Sequence, residues 1–145
     1  MNIIIRSACI EDIDLLIELG KNDISFNISK RVLFYERDEI LEWIRNPQNN
    51  ILYVAYHEKT LVGFYFCKMM SYRWAMLDNF YVIPEMRRNK IGQMMFDRLK
   101  DILQQRVVEC LTTIIEPKRF FVESFLRLNE FKSSKSYNWY ECQLL

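Results

Sequence analysis

Glycine is scarce in this chain. Three occur in 145 residues, Gly20, Gly63 and Gly92, against roughly 7% in average usage. That excludes a collagen-like chain, a glycine-rich linker and the GxGxxG fingerprint of dinucleotide-binding folds. Histidine is scarcer: His57 stands alone. A histidine-built metal site is therefore excluded, and a Ser-His-Asp triad could use only His57, which the pattern puts at an exposed turn. The four cysteines, Cys9, Cys67, Cys110 and Cys142, form no CxxC pair. They read as free thiols in a reducing compartment, with no metal site. Neither sign of charge dominates, with 20 Lys+Arg against 19 Asp+Glu. Nothing in that balance calls for nucleic acid or an anionic membrane as partner. No apolar run approaches the ~18 residues of a membrane span. The N-terminal residues resemble no leader peptide, so the expected location is cytoplasmic.

What is present is an ordinary globular composition, 50% hydrophobic and 27% charged. The length suits a single domain, 1–145. Asn2 to Arg6 reads as a strand. Ile13, Leu16, Ile17 and Gly20 fall at helical spacing, and Gly20 is expected to end that helix in a left-handed conformation. An aromatic stretch, Lys21 to Arg37, shows no clear period. Asp38 is expected to cap a helix that stops before Pro47. Residues 51–57, 61–71 and 73–83 read as three antiparallel strands. Ile91 to Gln105 is a strong amphipathic helix, with Ile91, Met94, Met95, Leu99, Ile102 and Leu103 as its apolar stripe. Residues 107–115 form a β-branched strand parallel to its predecessor. Pro117 opens a last helix, and 131–144 supplies one or two further strands. The expected fold is mixed α/β: a mostly antiparallel six- to seven-stranded sheet with about four helices on both faces.

The chemistry concentrates where the strand ending at Pro84 meets the helix starting at Ile91. The first turn of that helix offers unbonded N–H groups and the positive end of the dipole. Arg87, Arg88 and Lys90 add charge there, and Gly92 lets a ligand or backbone come close. These residues point to a phosphate site; the alternative is a solvated basic turn before an ordinary helix.

Four motifs, in order, resemble the GCN5-related N-acetyltransferases (GNAT superfamily) over nearly the whole chain. They are Arg6-x-Ala8-x-x-x-Asp12, Leu61-Val62-Gly63, Leu77-Asp78-x-Phe80-x-Val82-x-Pro84, and V-x-P-x-x-R-x-x-x-x-G from Val82 to Gly92. The resemblance implies acetyl-CoA as cosubstrate, with no metal. It places the pyrophosphate on Arg87, Arg88, Asn89, Lys90, Ile91, Gly92 and Gln93. It runs the pantetheine arm along Phe80, Tyr81 and Val82, where the fourth and fifth strands splay. A bulge in the fourth strand would present an amide near Tyr81 or Val82 to the thioester carbonyl. The implied reaction is N-acetylation of a primary amine by direct attack in a ternary complex. The acceptor would be a small molecule or a peptide, lined by Phe26, Phe34, Tyr35 and Glu36, unless those aromatics simply pin the loop to the core. A homodimer is a further implied possibility.

Three departures stand out. Lys90 occupies the place of the family's first loop glycine. If that position needs a positive φ, lysine there costs about 1 kcal/mol or more, and Asn89 could share the strain. In the late helix Leu126 stands where the family often has an acidic tyrosine, and Glu130 stands for the glycine before Phe131. A thiolate leaving group, from a thiol of pKa roughly 8.5, needs little proton assistance; water, Tyr137 or Tyr140 could supply it. Asp78 falls where relatives often carry a glutamate. It reads either as a general base, direct or through water, or as a structural carboxylate paired with an arginine such as Arg73. These departures keep open an inactive CoA-binding or partner-binding module, or use of another acyl-CoA.

Overall fold

The computed structural model describes residues 1–116 and 118–144. Pro117, expected to open the last helix, lies outside them. The chain divides into two compact units, Met1–Ile114 and Ile115–Leu145.

In the first unit the elements are β1 (Ile3–Ser7), α1 (Ile13–Asn22), α2 (Arg37–Arg45), β2 (Asn50–His57), β3 (Thr60–Met69), β4 (Trp74–Val82), α3 (Ile91–Gln105) and β5 (Cys110–Thr113). The sheet order is β1-β2-β3-β4-β5. The first three pairings are antiparallel and β4–β5 is parallel, as a strand–helix–strand crossover requires. The second unit holds α4 (Phe120–Leu128). Residues 131–144 form no strand. The sheet therefore has five strands among the described residues, not six or seven. The alternation from Tyr137 to Leu144 was the signal for the extra strands. Tyr137, Trp139, Tyr140 and Leu144 are instead exposed, and period two alone does not supply a strand with a pairing partner.

Helices cover both faces of the sheet. On one face Ile91, Met95, Leu99 and Leu103 of α3 pack against Ile51, Ala55, Tyr65, Cys67 and Leu77. Phe96 is also buried and Met94 is 42% exposed, the one exchange in a stripe that otherwise lies as expected. At 100° per residue Phe96 falls beside Leu103, while Met94 lies on the flank. On the other face α1 and α2 bring Ile13, Leu16 and Ile40 onto Leu52, Val54, Phe64 and Phe66.

The opening motif ties β1 to α1. The Arg6 guanidinium donates to both oxygens of Asp12, at 2.7 and 2.9 Å. The Cys9 amide (2.8 Å) and the Tyr56 hydroxyl (2.7 Å) complete the carboxylate's shell. Asp12 is 2% exposed. Burial opposes its ionisation, yet the Arg6, Cys9 and Tyr56 bonds outweigh burial and hold its pKa far below the usual carboxyl range.

Glycine and left-handed backbone have parted company here. No glycine has a positive φ, while Glu58, Arg88, Lys90, Val107, Lys118 and Glu130 all do. Gly20 does not terminate α1; it lies inside it. A β-carbon there would overlap the Phe34 ring, so glycine is required for close approach. Gly63 is similar: its β-carbon would meet the Tyr81 carbonyl at 2.7 Å. Helices α3 and α4 end in the double hydrogen-bond pattern of a Schellman motif, Val108 N–H to Leu103 O and Phe131 N–H to Leu126 O. Val107 (φ 58°) and Glu130 (φ 68°) hold the left-handed position that glycine usually fills.

Candidate functional site

Strand β4 carries the centre of the site. Its register against β3 slips between Phe66 and Cys67, which face Asn79 and Leu77. Asp78 is the extra residue, a β-bulge. Neighbouring side chains normally point to opposite faces of a strand, and a bulge breaks that rule. Asp78 and Asn79 consequently reach the same group, the Tyr35 hydroxyl, which donates to Asp78 and accepts from Asn79 Nδ2. The expected structural partner of Asp78, Arg73, is engaged elsewhere, with Glu109 at 2.6 Å.

Beyond the bulge, one edge of β4 has no neighbouring strand among the described residues. Pairing with β5 ends at Leu77–Thr113. Ile83 N–H donates to Val62 O at 2.9 Å, and counting back by the two-residue alternation sends the N–H groups of Phe80 and Val82 away from β3. They face the side that β5 would occupy were it longer. The Phe80 and Val82 side chains pack toward α3, and Tyr81 packs toward α1 and α2.

The loop after β4 is held from within. Arg87 Nε donates to Val82 O at 2.8 Å, and its guanidinium lies 5.6 Å from the Tyr81 ring centre. Asn89 Nδ2 donates to the carbonyls of Met86 (3.1 Å) and Arg87 (3.3 Å). The left-handed residues are Arg88 (φ 64°) and Lys90 (φ 62°), with Asn89 between them. Asn89 thus does not share the strain; Arg88 does. Lys90 is the N-cap of α3, and the helical ladder starts with Met94 N–H to Lys90 O. The N–H groups of Ile91 and Gly92 lie ahead of that ladder. Gln93 lies in the same first turn and donates to Asp97 at 2.9 Å.

The 23–36 segment closes over the α1/α2 face of β4. Phe26 lies 5.6 Å from Phe64 and 5.2 Å from Tyr81. Phe34 is buried, seated on Gly20 between Phe64 and Phe66. Tyr35 stacks on Phe66 at 4.4 Å. Burial raises the Tyr35 pKa, and the Asp78 carboxylate it donates to raises it further. Glu36 is exposed and is the N-cap of α2, a role expected of Asp38; its N–H donates to Glu39 at 2.6 Å. Asp23 was not anticipated as part of this region. Burial works against its charge, but Ser25, Tyr81 and Arg87 together keep its pKa below the ordinary value. Its signal in the sequence was the Asp-x-Ser turn, whose Ser25 N–H bonds the carboxylate at 2.9 Å. Asn79 had no such signal, because only the bulge turns it toward Tyr35.

A sequence model of the acetyltransferase (GNAT) family matches residues 21–125. The chain belongs to that family. The solved structures agree on the fold. The PaiA N-acetyltransferase of Thermoplasma acidophilum, in complex with coenzyme A, superposes with a TM-score of 0.84 at 23% identity, covering 94% of each chain. An aminoglycoside acetyltransferase from an uncultured soil metagenomic sample, in complex with sisomicin, gives 0.78 at 15% identity, covering 97% of each. The ribosomal-protein-S18-alanine N-acetyltransferase of Escherichia coli gives 0.76 at 14%, covering 92% of this chain and 80% of that one. No curated protein matches the sequence. Among the described residues no helix is long and apolar enough to cross a membrane, and no group of three His, Cys, Asp or Glu side chains gathers to hold a metal.

Proposed function

We propose that this GNAT chain, acting as one domain, moves an acetyl group from acetyl-CoA to a primary amine by direct attack in a ternary complex. One observation carries the reading. The bulge residue Asp78 lies four positions before Val82, on a stretch of β4 whose outer edge has no strand beside it. A carboxylate and a main-chain donor are thereby offered at one opening in the sheet.

The residues fit the cosubstrate. The first-turn amides of α3, with Arg88 and Lys90 beside them, suit a pyrophosphate. The outward N–H groups of Phe80 and Val82 suit an extended pantetheine arm laid along the edge like an added strand. Acetyl-CoA supplies a thioester whose carbonyl carbon bonds the amine nitrogen as the C–S bond breaks, giving amide, coenzyme A thiol and one released proton. Asp78 takes the proton that an arriving ammonium must lose, directly or through water. Val82 N–H holds the carbonyl oxygen as it gains negative charge. Phe26, Tyr35 and Glu36 border the acceptor, with Phe34 supporting them from the core side.

Titration with acetyl-CoA is expected to show binding that Arg88→Glu weakens at least tenfold. Free-thiol release with a panel of a polyamine, an aminoglycoside, a hexosamine and a lysine peptide is expected to show one amine turned over and the rate lost in Asp78→Ala. No binding by the wild type at millimolar acetyl-CoA would sink the proposal. A second reading, a CoA-binding module without turnover, draws on the strained Lys90 and on Leu126 at the family's tyrosine position. Binding with background thiol release for every amine would favour it.

A further inference from the structure

Tyr35 is fixed from three sides. Its ring stacks on Phe66 at 4.4 Å and 9°, and meets Phe34 (5.3 Å) and Trp43 (5.9 Å) edge-on. Its oxygen accepts from Asn79 Nδ2 at 3.3 Å. A phenol has one proton to give, and with Asn79 as donor that proton goes to Asp78 Oδ2. Asp78 itself is exposed and, as the bulge residue, has no residue opposite it on β3. Nothing in the ladder sets its rotamer. A base must hold its oxygen within hydrogen-bond reach of the proton it takes, and a carboxylate on an unpaired, exposed position would otherwise sample several rotamers.

We propose that Tyr35 is a positioning residue for Asp78. It clamps Oδ2 and so aims Oδ1 at the acceptor ammonium or at the water between them. This role rests on Asp78 being the proton acceptor proposed above. It also explains why Asp78 and Asn79 share a face: the bulge brings donor and acceptor to a single hydroxyl. The 23–36 segment thus completes the base, because Tyr35 belongs to it.

The test is a double-mutant cycle of Tyr35→Phe and Asp78→Ala, using acetyl-CoA and the panel amine that the wild type acetylates fastest. Phenylalanine keeps the stacked ring and removes only the hydroxyl. We expect kcat to fall about tenfold in Tyr35→Phe, the size of one hydrogen bond to a charged group, with KM for acetyl-CoA unchanged. In the Asp78→Ala background the same change is expected to add nothing. An unchanged kcat in Tyr35→Phe, or an equal loss in both backgrounds, overturns the positioning role while leaving Asp78 as base. A wild-type rate in Asp78→Ala overturns the base and this role with it. Independent of turnover, the Tyr35 hydroxyl proton is expected as a downfield, slowly exchanging resonance in the 1H spectrum that Asp78→Ala abolishes. Its absence from the wild-type spectrum overturns the proposal whether or not any amine reacts.

Discussion

The Phe34 ring occupies the space where a side chain on Gly20 would begin. Helix α1 thereby lets the aromatic stretch sink onto the sheet, and Tyr35, the next residue, arrives at the bulge. Gly20→Ala is expected to destabilise the protein by about 2 kcal/mol. The overpacking penalty of about 1–3 kcal/mol exceeds any gain in helix propensity, which is at most ~1 kcal/mol. Urea unfolding would measure it. The same variant should lose acetyl transfer more than acetyl-CoA affinity, since the displaced ring adjoins Tyr35 and not the α3 loop.

Left-handed residues with side chains make the opposite prediction. Val107→Gly, at the end of α3, is expected to stabilise the protein by about 1 kcal/mol, because a β-branched residue is a poor occupant of that conformation. Lys90→Gly should raise the stability of the ligand-free protein by a similar ~1 kcal/mol. Lys90→Ala should not, since alanine keeps the β-carbon that makes the position strained. Thermal unfolding of the three variants separates strain from lost side-chain contacts.

Asp12 sets an acid limit on stability. Its folded-state pKa is held below the ordinary 3.8 of a free carboxyl. Its stabilisation is therefore fully present above about pH 4 and is lost as pH falls through the folded value. The midpoint of urea unfolding should drop progressively below pH 4, and less steeply in Asp12→Asn. Arg6→Leu, which leaves the buried carboxylate without its cation, should cost about 3 kcal/mol at pH 7.

The thiols should separate by burial. Burial pushes the Cys67 pKa up to about 12, while Cys110 and Cys142 are exposed. A disulfide reagent at pH 8 is expected to modify Cys110 and Cys142 quickly, and Cys67 only after denaturation. Fast labelling of Cys67 in the native protein would contradict the packing beneath α3.

Much of this was legible in the residues. The α3 boundaries, Ile91 to Gln105, follow from its stripe and the basic turn before it. The three central strands follow from β-branched and aromatic runs between polar turns. What was hidden depends on register. Asp78 is visible as a lone acid in an apolar strand, read as a base or as the partner of an arginine such as Arg73, but its contact with Tyr35 is not, because a strand read without its bulge sends Asp78 and Asn79 to opposite faces. Gly20 looks like a helix terminator in the sequence, because its contact with Phe34, fourteen positions away, leaves no local trace. Lys90 was recognisable as a departure from the family, and the conformation it adopts is the one that makes the departure expensive.

The extra residue in β4 leaves the faces on either side of it in step. Ala75 and Leu77 face α3 before it; Phe80 and Val82 face α3 after it. Even and odd positions have traded places. Delete Asp78 and the ladder would become regular, with Leu77 still opposite Cys67, Asn79 opposite Phe66 and Phe80 opposite Tyr65, so Phe80 and Val82 would keep their α3 face and Val82 its outward N–H. What the deletion removes is the carboxylate beside the Tyr35 hydroxyl, not the packing. A one-codon deletion at Asp78 should therefore leave the fold intact by circular dichroism while abolishing acetyl transfer, as Asp78→Ala is expected to.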